Sequence, residues 1–114
     1  MKINISIETH ESLSVVSNMF DDTKTFESGM SMQAPGGFGV TYESASMARA
    51  LDIPSTLQFV VDTAQTVEVG LFTTWLYEKV KEPKKAKIII KEKEIEFDKN
   101  EIQKLLERTI EIEE

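Results

Sequence analysis

Residues Lys87 to Leu106 read K-I-I-I-K-E-K-E-I-E-F-D-K-N-E-I-Q-K-L-L. Two β-branched runs, Lys87 to Lys91 and Glu94 to Phe97, stand either side of charged residues, as the arms of a tight hairpin stand either side of its turn. No Asn-Gly or Asp-Gly marks that turn, so its type stays open. Asp98 then acts as an N-cap with Glu101 at the third helical position, a capping-box arrangement in which each side chain answers a free backbone amide. Ile102, Leu105, Leu106 and Thr109 or Ile110 fall on one face of the helix that follows. Hairpin followed by amphipathic helix sets the class as α+β.

Working outward from that tail, Lys2 to Glu8 alternate Ile3, Ile5 and Ile7 with Asn4, Ser6 and Glu8, the pattern of a half-buried strand. Glu11 to Phe20 space Leu13, Val16, Met19 and Phe20 by three and four, which predicts a short helix although serines at 12, 14 and 17 weaken it. Asp21 to Lys24 is a polar break. Thr25 to Gln33 reads as a second strand interrupted by Gly29. Ala34 to Gly39 hold three glycines and a proline, which make a turn or mobile loop. Val40 to Tyr42 return as a short edge strand, and Ser44 to Leu51 make one or two helical turns carrying Met47 and Leu51.

Pro54 suits the first turn of a helix, where its missing N–H is not needed. Beyond it Leu57, Val60, Ala64, Val67 and Leu71 recur at three and four residues, and Val61, Phe72, Trp75, Leu76 and Val80 add a second stripe. The spacing predicts one long helix ending at Glu82, before Pro83. Such a helix would be about 42 Å long, so Gly70 must kink it or one end must protrude. The expected architecture is a single α+β domain over residues 1–114: a small, mainly antiparallel sheet of N-terminal strand plus C-terminal hairpin, packed by a long central helix and a C-terminal helix.

The 114 residues suffice for one hydrophobic core. Hydrophobic residues at 40% and charged residues at 29% exclude a disordered segment and an integral membrane protein. The window Leu57 to Tyr77 is long enough to cross a bilayer, but Asp62 and Glu68 within it argue against a span. Thirteen basic and 20 acidic side chains give a net charge of −7, which disfavours nucleic-acid binding. The acid excess lies in residues 1–77, with three bases and nine acids, against ten and eleven in residues 78–114. The absence of cysteine removes disulfides, thiol nucleophiles and thiolate metal sites. No secretory signal is read at the N-terminus, and the cytoplasm is the expected compartment.

Chemistry has few footholds. His10 is the one histidine, and a zinc site around it would need carboxylates for its other ligands. It reads as a solvent-facing residue at a strand end, with a general-base role beside Glu8 or Glu11 as the sharper alternative. Gly36-Gly37-Phe38-Gly39 lack the lysine-serine or lysine-threonine pair of a phosphate loop. Asp21-Asp22 read as solvated acids, and Lys79, Lys81, Lys84, Lys85 and Lys87 as a solvated helix end rather than a nucleic-acid patch. No catalytic, cofactor-binding or metal residue is assigned.

The run from Trp75-Leu76 through a basic break into Ile88-Ile89-Ile90, Glu94-Ile95-Glu96-Phe97 and Ile102-Leu105-Leu106 resembles the small effector-associated constant component domains. The resemblance covers about the last 60 residues. It implies a non-enzymatic adaptor in bacterial antiviral and conflict systems that couples an effector to a sensor.

The expected function is therefore protein–protein interaction, with another protein and with copies of itself, without nucleic acid, membrane span or cofactor. Its expected contact residues are Met30, Met32, Gly36, Gly37 and Phe38 of the glycine-rich loop, left as adaptable apolar groups on the surface, and Val67, Leu71, Phe72 and Trp75 of the overwide helix face. Trp75 itself is expected to pack mainly within its own domain. Two alternatives stand beside this reading: a phage-encoded inhibitor of a host defence protein, and a small nucleotide-binding protein or enzyme using His10, the acids at 21 and 22, and the loop at 36–39.

Overall fold

The computed structural model describes residues 1–20, 27–46, 55–80 and 83–113. In chain order its elements are β1 (Lys2–Thr9), α1 (Ser12–Met19), β2 (Ser31–Ala34), β3 (Phe38–Ser46), β4 (Ser55–Thr63), α2 (Val69–Lys79), β5 (Lys87–Ile90), β6 (Lys93–Glu96) and α3 (Lys99–Glu113), with one 3-10 turn at Pro83–Lys85. The strands form a single six-stranded sheet in the order β2-β3-β4-β1-β5-β6. Every neighbouring pair is antiparallel.

The α+β class is as expected, but the sheet is larger than the sequence suggested and the long central helix is absent. Its first third is β4. There Leu57, Phe59 and Val61 are buried while Gln58 and Asp62 are exposed, a period of two. The apolar positions 57, 60, 61 and 64 fit a helical stripe equally well. The β-branched Thr56, Val60, Val61 and Thr63 favour the pleated surface instead. β4 lies inside the sheet, with Ile3, Ile5 and Ile7 of β1 opposite Val61, Phe59 and Leu57. Only Val69–Lys79 is helical.

The region before β4 also differs. Val40 to Tyr42 belong to a nine-residue interior strand, paired to β2 on one side and β4 on the other. Ser44 to Ser46 continue that strand past an irregularity between Tyr42 and Ser44 and are not helical. β2 is shorter than the run from Thr25 to Gln33, and Gly29 lies in the turn ahead of it. Asp21, Asp22, Lys24, Thr25, Met47, Leu51, Pro54, Lys81 and Glu82 lie outside the described residues.

β4 and β5 each run antiparallel to β1, which lies between them. They are therefore parallel to each other, and α2 is the crossover such a pair requires. α1 lies over β4, α3 over β5 and β6, and α2 between α1 and α3. Ile3, Ile7, Phe38, Phe72, Ile88, Ile102 and Leu106 are fully buried where the layers meet. Asn18 of α1 donates its side-chain amide to the Lys79 carbonyl (3.3 Å), satisfying one of the acceptors left free at the end of α2.

The C-terminal hairpin has a two-residue turn, with Ile90 paired to Lys93. Lys91 and Glu92 have φ of 48° and 72°. Two left-handed residues in succession make a type I′ turn, built here without asparagine or glycine. At α3, Asp98 Oδ2 accepts the Glu101 N–H at 3.0 Å, so the expected cap forms. The Asp98 N–H donates instead to the Glu96 carbonyl (2.8 Å), so the reciprocal half of the capping box is not made. Among the described residues no helix is long and apolar enough to cross a membrane.

Candidate interaction surface

The glycine-rich segment is a tight turn with a fixed seat. Ala34 pairs with Phe38, leaving Pro35, Gly36 and Gly37 as the loop, with φ of 88° and 83° at the two glycines. The Gly36 carbonyl accepts the Glu68 N–H (2.9 Å) and the Gly37 carbonyl accepts the Ala64 N–H (3.0 Å). The turn is thus bound across the whole connection between β4 and α2. Side chains are excluded as well as disfavoured there: a Cβ on Gly36 would run into the Glu68 carbonyl, and one on Gly37 would lie 2.8 Å from the Thr66 carbonyl.

Behind the turn, Phe38 stacks on Phe72 with ring centroids 4.3 Å apart. Trp75 continues the column at 5.8 Å from Phe72, and the Lys79 ammonium sits 6.0 Å from the indole, at the outer limit of a cation–π contact. Val67, Leu71, Trp75 and Lys79 follow one another every fourth residue along α2 and its lead-in. Of this ridge Leu71 is 52% exposed, while Val67 and Trp75 are half-buried against the core.

The fold therefore brings Gly36, Gly37, Phe38, Val67, Leu71, Phe72 and Trp75 together. Phe38 and Phe72 are nevertheless interior, so the surface exposure expected of Phe38 is not found. Met30 and Met32 are half-buried on the helix side of β2, with Met32 opposite Val40. His10 is exposed where β1 ends. Lys84, Lys85 and Lys87 are exposed around the 3-10 turn and the start of β5. Among the described residues no three His, Cys, Asp or Glu side chains are grouped to hold a metal ion. The face of the sheet turned away from the helices carries a shallow groove of about 560 Å³ between Asn4, Ser6, Gln58, Val60 and Ile89.

A second feature is legible only in the backbone. Tyr42 donates its N–H to the Met30 carbonyl (2.8 Å), and on the other side of β3 the Ala64 N–H reaches Gly37. Bonding direction alternates along an antiparallel strand. Phe38, Val40 and Tyr42 therefore turn their backbone groups to β2, and Met32 and Ala34 return theirs; ahead of the strand the Tyr42 carbonyl accepts the Gly29 N–H (2.7 Å) and the Met30 N–H turns back to the Glu27 carbonyl (3.1 Å). Ser31 and Gln33 point N–H and C=O outward, where β2 forms the edge of the sheet among the described residues. At the other edge, Lys91 N–H to Asn4 carbonyl (3.2 Å) and Phe97 N–H to Ala86 carbonyl (3.3 Å) fix the same alternation. The outward residues of β6 are Glu94 and Glu96.

The two edges of the sheet are thus chemically opposite. β6 carries a carboxylate at both outward positions, which discourages a strand from pairing there. β2 carries serine and glutamine, both exposed and uncharged. Sequence reading passed over Ser31 and Gln33. The alternation of Met30, Met32 and Ala34 with them was the available signal, but being at an edge is a property of the assembled sheet. No protein-family model, curated protein or solved structure matches this chain.

Proposed function

We propose that the chain is a non-enzymatic protein–protein interaction module whose contact surface is the exposed ridge of α2 beside the Gly36-Gly37 turn. The observation that carries this reading is the ridge of α2: Leu71 is 52% exposed, with Trp75 and Val67 beside it on a support held by the Gly36 to Glu68 hydrogen bond. A half-covered tryptophan on a support fixed by backbone hydrogen bonds is the residue type that anchors interfaces, and the exposed Leu71 beside it extends the apolar patch. The turn that supports this ridge also joins the uncharged edge strand β2 to β3. The resemblance of the C-terminal half adds the setting: an adaptor in the bacterial cytoplasm, within a conflict system, whose partner is an effector or a sensor.

The test compares immobilised wild-type chain with its Leu71→Glu variant in extracts of the source cells. A protein retained by the wild type and lost by the variant, with the variant's melting temperature unchanged, is the expected result. Identical retention by both would overturn the assignment of this ridge.

A further inference from the structure

The geometry points to the partner of β2: a second copy of this chain, joined edge to edge about a two-fold axis through Met32, so that the two sheets run on as one. This rests on the interaction reading above and names one of its partners.

The backbone selects the register. With Ser31 and Gln33 both directed outward, antiparallel pairing uses all four outward groups of each strand only when Ser31 of one copy faces Gln33 of the other. That alignment makes four N–H···O=C bonds and places the two Met32 residues opposite each other as the central, non-hydrogen-bonded pair. A shift by two residues in either direction would leave part of this set unpaired. On the helix side, Met30 of each copy then lies across from Ala34 of the other, flanking the Met32 pair. Met30 and Met32, half-buried in one chain, gain apolar neighbours there.

Charge indicates why the copy is met at this edge. Repeating the same operation at β6 would set Glu94 directly against Glu96 of the other copy, twice, and like charges directly opposed are unfavourable. In the β2 register the paired residues Ser31, Met32, Gln33 and Ala34 include no acid. The contact is its own complement, so it closes as a dimer, whereas β2 of one copy on β6 of the next would be open-ended. A four-residue strand makes a small interface, and the association is accordingly weak.

The chain has no cysteine, so Met32→Cys introduces a single thiol. A central non-hydrogen-bonded pair has Cα atoms about 4.5 Å apart, within disulfide range. Mild oxidation of this variant should give a covalent dimer. Ser31→Cys and Glu94→Cys, neither of which faces itself in this register, should stay mostly monomeric. Sedimentation of the wild type should show a concentration-dependent dimer. The double variant Ser31→Glu with Gln33→Glu, which copies the β6 pattern onto exposed positions, should be folded and monomeric. Gln33→Pro should be monomeric too, because it removes an outward N–H where an edge strand tolerates proline.

A wild type that stays monomeric, or Met32→Cys that cross-links no better than Glu94→Cys, overturns the proposal. So does an open ladder of oligomers, which would mean pairing of β2 with β6. Loss of a partner protein in Leu71→Glu together with a monomeric wild type would leave the interaction reading standing and remove only the self-pairing.

Discussion

At the residue scale, two positions show how the turn and the core constrain substitution. Gly36 combines a left-handed φ with backbone contact to Glu68, so Gly36→Ala must distort both the turn and its seat. The expected loss is about 1–3 kcal/mol of unfolding free energy, read by urea denaturation. Gly39, at the start of β3, meets only ordinary contacts and lacks a positive φ, so Gly39→Ala should cost much less. Thr73 is the opposite case. Its hydroxyl is buried without a hydrogen-bond partner among the described residues, and the residue is fully covered. Thr73→Val keeps the shape and removes the unpaired oxygen, which should raise stability by roughly 1 kcal/mol. A destabilised valine variant would show that the hydroxyl is satisfied in solution.

At the element scale, the hairpin between β5 and β6 stores strain that a sequence change can release. Glu92 occupies a left-handed conformation, which costs a side-chain-bearing residue on the order of 1–2 kcal/mol. Glycine avoids that cost while adding some unfolded-state entropy. Glu92→Gly should therefore stabilise the fold by about 0.5–1 kcal/mol, with a measurable rise in melting temperature. The elements were unequally legible. β1, the hairpin and α3 stood out because each shows one periodicity: alternating isoleucines in the first, β-branched runs in the second, and a capped stripe from Ile102 to Ile110 in the last. The stretch from Leu57 to Val80 misled because Leu57, Val60, Val61 and Ala64 satisfy both periods. Ala64 to Glu68, without a proline or glycine to mark them, conceal the boundary between β4 and α2. Pro54 pointed the same way, being suited to open a helix.

At the scale of the whole molecule, the helices cover one side of the sheet and leave its two ends distinct. Gly36, Gly37, Phe38, Val67, Leu71, Phe72 and Trp75 lie together because the Gly36-Gly37 turn docks on the start of α2. The reason they gather was not visible beforehand. It depends on β3 lying beside β4, a pairing set by the assembled sheet and announced by no periodicity within either strand. That β2 forms an edge among the described residues was hidden for the same reason. A net charge of −7 on each copy opposes self-association, and salt screens such repulsion. Raising ionic strength should therefore strengthen the dimer, as read by light scattering, whereas an interface held by opposite charges would weaken.

The outward amides themselves report on the central claim. Hydrogen exchange followed residue by residue in dilute and in concentrated protein compares four of them directly. The self-pairing account predicts that protection of the Ser31 and Gln33 N–H groups grows with concentration, while Glu94 and Glu96 exchange equally fast in both samples. Unchanged fast exchange at Ser31 and Gln33, or protection that grows at Glu94 and Glu96 instead, would contradict it.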